Sequence, residues 1–260
     1  MREDVTDALE VISPDDTPVY NGLRKESCIG VHHEWLEIAL PTASAVGANS
    51  FAEGAAFVYA SGANAQPGET RRHNYCQIFQ KTWKVSGTIE AVGKYGRDSE
   101  WGLRKLHAMR AFKIDIEVAL LDNSASGAGS SGVARTMDGL RTLNGLSATA
   151  NASSTLASPV DEGNLNVLMQ QMWQQGCSPD RVVVSPFVKR QLSLFSGASS
   201  AKPRESSNGE REMVDVLDVY ESDFGRVSII PSRRLNIKSD VLVFERSMQS
   251  IPILRSPSVR

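Results

Sequence analysis

From Asp98 to Asp122 the apolar side chains recur at helical spacing over a longer stretch than anywhere else in the chain. At 100° per residue, Trp101, Leu106, Ala108, Met109, Phe112, Ile116, Ala119 and Leu120 form one wide stripe, and Leu103, Ile114 and Leu121 form a narrower line nearly opposite. The spacing predicts a helix over 98–122, capped by Asp98 or Ser99. Such a helix is a rod of roughly 36 Å. With apolar lines on two sides it must be covered on two sides, so the rest of the chain has to be arranged around it.

Just before the rod the period changes. Phe79, Trp83 and Val85 alternate with Gln80, Thr82, Lys84 and Ser86, which predicts a half-buried strand, and Lys81 on the apolar side places that strand at an edge. VHHEWLEIAL at 31–40 is also rich in strand formers. The two segments predict a long protruding hairpin. Their connection, PTASAVGANSFAEGAAFVYASGANAQPGET, is dominated by Ala, Gly, Ser and Asn. It has little to bury for its length and is expected to be mobile in a lone subunit. Ahead of the hairpin, Pro14 and Pro18 in VISPDDTPVYNGL each disfavour helix just before them, which predicts an extended arm that needs another surface to lie on.

After the rod, NSASGAGSSGVAR reads as a flexible connector. A second helix is expected from Asp161 to Gln175, with Leu165, Leu168, Met169, Met172 and Trp173 inward and Gly176 as its stop. RVVVSPF follows as a buried strand, then a short helix to Phe195 and a solvated loop, SGASSAKPRESSNGERE. VDVLDVYESDFGRVSIIP reads as a hairpin turning near Asp223 to Gly225, and VLVFER and SIPIL as closing strands. Helices and strands mix without regular alternation, so the fold class is α+β.

A net charge of -2 lacks the basic excess of a dedicated nucleic-acid binder. The longest apolar runs, such as Val118 to Leu121, fall far short of the roughly 20 residues that span a bilayer. MREDVTDALEV carries acids where a secretory leader has an apolar core, which predicts synthesis in the cytoplasm. Cys28, Cys76 and Cys177 are odd in number and far apart, so neither a disulfide framework nor a closed zinc site is suggested and the thiols read as reduced. Cys28 and Cys76 lie in segments able to pair as strands, which leaves a bridge open without calling for one.

No catalytic, cofactor or metal site emerges. Gly127, Gly129 and Gly132 have the spacing of a dinucleotide fingerprint, but they follow a helix and precede no helical stripe, so a plain loop is the better reading. His32, His33 and Glu34 are neighbours in a strand and point alternately to opposite faces, away from a common ligand. His107 reads as a packing or surface residue, and no GxSxG or HExxH pattern is present. Arg71, Arg72, Lys81 and Lys84 are interleaved with Tyr75 and Trp83. Nucleic-acid contact, a charged solvent face, and contact with an acidic surface of a neighbouring copy are three readings of that mixture.

The order of parts resembles the Hong Kong 97-type major capsid protein of tailed phages. REDVTDALEVISPDDTPVYNGL, HHEW, KTWKVSGTIEAVGKYGRDSE, DIEVALLDN, VVVSPF and YESDFGRVSIIPSR, in that order, are similar to one group of such head proteins long filed as a domain of unknown function. The matching stretches cover nearly the whole chain. The resemblance implies an N-terminal arm over 1–30, an extended hairpin (E-loop) over 31–86, a P-domain over 87–160 that includes the spine helix 98–122, an A-domain over 161–238, and closing P-domain strands over 239–260. Members of that group are expected to continue through one more strand-forming stretch where this sequence has SPSVR, so either this member is short or the sequence lacks an end.

On that resemblance the chain is not an enzyme and needs no cofactor. It self-assembles into hexamers and pentamers of an icosahedral shell around double-stranded DNA. Phe51, Phe57, Tyr59, Arg71, Arg72, Lys81, Trp83 and Lys84 are expected at contacts between subunits. Further implied partners are a portal, scaffolding or decoration proteins, and packaged DNA held nonspecifically; the implied location is the virion, after assembly in the host cytoplasm, with no membrane. Two alternatives stand beside it: an encapsulin-like shell of a bacterial compartment and, from another class, a soluble enzyme with no identifiable motif.

Overall fold

The structure is a computed structural model that describes residues 16–38, 50, 52–56, 69–93, 98–140, 143, 161–174, 176–193, 202–205, 211–214, 218–235 and 241–259. In chain order the elements are α1 (Pro18–Gly22), β1 (Arg24–Ser27), β2 (His32–Glu37), β3 (Thr70–Tyr75), α2 (Gly87–Ala91), α3 (Glu100–Asp122), α4 (Glu162–Gln174), β4 (Arg181–Val184), α5 (Pro186–Leu192), β5 (Lys202–Glu205), β6 (Arg211–Val214), β7 (Val219–Ser222), β8 (Gly225–Pro231), β9 (Val241–Phe244) and β10 (Ser250–Ile253). Helices and strands are mixed, as the α+β reading expected.

The centre is a four-stranded mixed sheet in the order β7-β8-β4-β9. β4 runs parallel to β8 and antiparallel to β9, with Val182 opposite Val243, Val183 opposite Leu242 and Val184 opposite Val241. Both faces of the sheet are covered, which is why RVVV is apolar at consecutive positions rather than at alternate ones. On one face Val182, Val184, Val227, Ile229, Val241 and Val243 meet Leu165, Leu168, Met169 and Met172 of α4 and Val188 and Leu192 of α5. On the other, Val183, Leu242 and Phe244 meet Val19 of α1, Leu23, Leu121 of α3, Leu140 and Leu235. Each such fully buried side chain stabilises the fold by roughly 1.5–3 kcal/mol. The second apolar line of α3 therefore ends, at Leu121, in this second core.

α3 starts where the sequence predicts. The Ser99 hydroxyl accepts from the Gly102 amide at 3.0 Å, the N-cap geometry that leaves Asp98 outside. Its opposite end is closed from outside the helix: Leu140 N–H donates to the Leu120 carbonyl at 2.7 Å, and Gly139 N–H to the Asn123 carbonyl at 3.2 Å.

Four expectations are corrected. The alternation from Phe79 to Ser86 is real, with Phe79, Trp83 and Val85 half-buried and Gln80, Thr82, Lys84 and Ser86 exposed, but the segment is not a strand. It lies extended along α3, where Phe79 meets Phe112 edge-on at 6.2 Å and Trp83 meets Trp101 at 5.4 Å. An extended chain buries alternate residues against any flat apolar neighbour, and a helix stripe serves as well as a strand. The interruption at Lys81 is explained likewise: its Nζ sits 2.7 Å from Asp115 Oδ2 on the helix.

The arm also differs. Pro18 does not exclude a helix but opens one, since its fixed φ suits the first helical position. α1 docks on the chain's own α3, and β1 pairs in parallel with β10. The stretch expected as a solvated loop after Phe195 contains an antiparallel ribbon, β5 with β6, in which Lys202 faces Val214 and Glu205 faces Arg211. Finally, Trp173 is not inward but 57% exposed, with its ring 6.0 Å from that of Phe224.

Candidate assembly surface

The hairpin is a two-stranded projection. β2 and β3 pair over His32–Tyr75 to Glu37–Thr70, and among the described residues they form a two-stranded sheet. Such a ribbon is marginal alone. Period two divides its side chains. One face carries His33, Trp35, Glu37, Arg72 and Asn74; here Glu37 binds the Trp35 indole N–H at 2.9 Å and the Arg72 Nε–H at 3.2 Å, joining the two strands. The other face carries His32, Glu34, Leu36, Arg71, His73 and Tyr75. His32 stacks on Tyr75 with ring centres 4.7 Å apart, and Arg71 lies 3.6 Å from Glu34. Leu36 on that face is 59% exposed, Ile38 just beyond it 64%, and Ile78 past the root of the hairpin 75%. Leu36 and Ile38, two positions apart and so on one side of the projecting ribbon, form a small apolar surface left open among the described residues, and Ile78 is a separate exposed aliphatic beyond the root.

The root of the ribbon, by contrast, is fixed by side-chain amides. Asn74 accepts from the Asp138 amide at 2.9 Å and donates to the Asp138 carbonyl at 3.3 Å. Gln77 Oε1 accepts from Met137 N–H at 3.2 Å and from the Asn123 side chain at 2.9 Å, and Asn123 also donates to the Met137 carbonyl. Peptide-like groups thus bind the hairpin to the segment that closes α3.

Two carboxylates cap helices from a distance. Glu90 of α2 accepts from Ser99 Oγ at 2.7 Å and from the amides of Glu100 and Trp101 at 3.0 and 3.1 Å, placing negative charge at the start of α3. Glu117 of α3, fully buried, accepts from Val19 N–H at 3.0 Å and Tyr20 N–H at 2.7 Å and so caps α1. Burial raises the Glu117 carboxyl above its usual range, with the two backbone donors pulling the other way.

The first half of α3 is another exposed surface among the described residues. Trp101, Leu106 and Met109 of the predicted stripe stay exposed, Met109 at 48%. Leu106, Met109, Arg110 and Lys113 line an open groove against Asp16, Thr17 and Asn21 beside α1.

Of the residues expected at subunit contacts, Phe51, Phe57 and Tyr59 lie outside the described residues. Arg71, Arg72 and Lys81 have carboxylate partners within the chain, in Glu34, Glu37 and Asp115. Trp83 packs on Trp101, and Lys84 is exposed. Residues not singled out from sequence are Asn74, Gln77, Glu90 and Glu117. Only Glu117 carried a signal, a charge within the otherwise apolar run IEVALL. Gly127 to Thr136 is a tight ribbon held by paired bridges, with Gly129 and Gly132 at positive φ, not a strand followed by a helix. Among the described residues no group of three His, Cys, Asp or Glu side chains is placed to hold a metal ion, and no helix is long and apolar enough to cross a membrane.

The profile of the SU10 major capsid protein family matches residues 1–260. The chain belongs to the SU10 major capsid protein family. A major capsid protein of Escherichia phage Phieco32 is 31% identical to this family member over 121 residues, which are 45% of this chain and 32% of that protein. The match thus spans about a third of the curated relative's length. Solved chains from Mycobacterium phage Adephagia and Microbacterium phage Oxtober96 share the fold: each has a TM-score of 0.56 at 13% identity over 98% of this chain, and they are covered to 76% and 78%. Membership in a capsid-protein family does not favour the compartment-shell and enzyme alternatives.

Proposed function

We propose that the chain is the shell subunit of a tailed-phage head, built on the Hong Kong 97-type plan and assembling with itself into hexamers and pentamers around double-stranded DNA. The observation that carries this reading, beside the family, is the pairing of a fixed hairpin root with exposed aliphatic side chains at Leu36 and Ile38 toward the other end of the ribbon. A rigidly rooted projection with open aliphatic side chains is suited to lie on a neighbouring copy, and repetition of one modest contact around a closed shell makes the whole stable. In this reading residues 1–30 are the N-arm, 31–86 the E-loop, 87–160 with 239–260 the P-domain and 161–238 the A-domain. Phe51, Phe57, Tyr59, Arg71, Arg72, Lys81, Trp83 and Lys84 contact neighbouring subunits. Arg71 and Arg72 then exchange or share their intrachain carboxylates with the neighbour. Portal, scaffolding or decoration proteins and nonspecific DNA contact complete the set of partners, with assembly in the host cytoplasm.

Replacement of residues 39–68 by a short turn tests the reading. A soluble subunit that sediments as single capsomers or smaller is expected. Closed shells of normal size from that deletion would refute the hairpin's role.

A further inference from the structure

Cys28 follows β1 and Cys76 follows β3, so the two thiols meet at the root of the hairpin although they stand 48 positions apart in sequence. Their sulfurs are 3.7 Å apart. The backbone on both sides is held: Cys76 N–H donates to the Val31 carbonyl at 2.8 Å and Cys28 N–H to the Ile253 carbonyl at 3.2 Å. Both residues are half-buried and both are free thiols, as is Cys177, which packs against the core cluster that contains α4. A disulfide needs the sulfurs to close to about 2.0 Å, roughly 1.7 Å less than their present separation. Rotation about the side-chain bonds supplies a movement of that size.

We propose that Cys28 and Cys76 are a modification site, a dithiol that closes to an intrachain disulfide when the chain meets a small-molecule disulfide such as oxidised glutathione. The step is exchange. One cysteine, as thiolate, attacks a sulfur of the glutathione disulfide and expels one glutathione thiolate; the second cysteine thiolate then attacks the mixed disulfide and expels the other. The protein loses two hydrogens and two electrons, and two molecules of reduced glutathione carry them. Burial and the neighbouring Cys28 push the Cys76 thiol up to about 11, while the Arg135 guanidinium works in the opposite direction. A smaller thiolate fraction at Cys76 slows its part in the exchange. The bond would tie the end of β3 to the end of β1, and through β1 to β10, adding a covalent link to the root that the side-chain amides already hold. The proposal rests on the sulfur geometry and holds whether or not the chain builds a shell.

The full chain, purified under reduction, is transferred to buffers of rising oxidised-to-reduced glutathione ratio, then alkylated, digested and mapped by mass. The expected result is a peptide linking Cys28 to Cys76 within one chain, with Cys177 still alkylated. Amide exchange at 74–77 is expected to slow about tenfold in the oxidised form. Glutathione adducts that never close, a link between chains, or reaction of Cys177 at the same ratio would each overturn the proposal. Because the assay reads the natural chain, it does not depend on variants that fold poorly; Cys177→Ser is a control expected to leave the link intact.

Discussion

Glu117 Oε2 accepts the backbone N–H of Tyr20 at 2.7 Å across 97 positions of sequence. With Val19 N–H on the other oxygen, one buried side chain satisfies two donors at the start of a five-residue helix too short to hold itself. Replacing Glu117 by Leu leaves both donors without an acceptor and is expected to destabilise the chain by about 2 kcal/mol or more. Fluorescence melts of the two proteins check this; unchanged melting would show that α1 is held by Val19 and Leu23 packing alone.

The same carboxyl predicts a pH dependence. Its native pKa lies above the ordinary 4.5 because burial disfavours the charge. Folding then takes up a proton at this group, so its favourable contribution is fully present below 4.5 and is lost as pH rises through the raised native value. Compared at each pH with Glu117→Gln, which does not titrate, the natural protein should lose ground as pH rises from 4 to 8. A constant difference across that range contradicts the assignment.

Glu90 and Ser99 together start α3. Glu90→Ala is expected to cost about 0.5–1 kcal/mol, the lower part of the range for a cap because both groups are exposed. Hydrogen exchange should rise at residues 100–103 and remain unchanged at 117–121, where Leu121 is in the core.

Gly139 is closed in by carbonyls. A Cβ there would lie 2.9 Å from the Asn123 oxygen and 3.0 Å from those of Ala119 and Leu120, all backbone at the end of α3. Gly139→Ala is expected to destabilise by about 1–3 kcal/mol. Gly87→Ala, with open space around it and ordinary backbone angles, should be neutral or slightly stabilising. Equal effects of the two in thermal melts would contradict this account of the α3 end.

Much of this architecture was legible in the sequence because it follows from period and punctuation. The stripe on α3, the run in β4 and the turn at Gly225 were all read at nearly their observed positions. What was misread shares a cause: pattern reports that a side is buried, not what buries it. Phe79 and Trp83 alternate like a strand while resting on a helix. Pro18 marks a boundary but does not tell an extended arm from a helix start. Trp173 fits the inward arc of α4, yet it stays exposed and touches Phe224 at the turn between β7 and β8. The hairpin root was invisible because Asn74, Gln77 and Asn123 are ordinary loop residues until the fold brings them together.

The exposed face of the ribbon gives a prediction with separable outcomes. Leu36→Ser with Ile38→Ser removes apolar surface open to solvent, so the isolated subunit should melt within about 0.5 kcal/mol of the natural one. Assembly, followed by light scattering, should be lost or need much higher protein concentration. Loss of subunit stability instead would mean that these residues serve the fold of one chain.

The central claim is that this chain builds a shell from copies of itself, and electron microscopy of the purified full-length protein under assembly conditions tests it most directly. Closed icosahedral particles, or rings of five and six subunits, are predicted. A uniform population of monomers or dimers at high concentration, together with the absence of particles when the other head proteins are supplied, would contradict it.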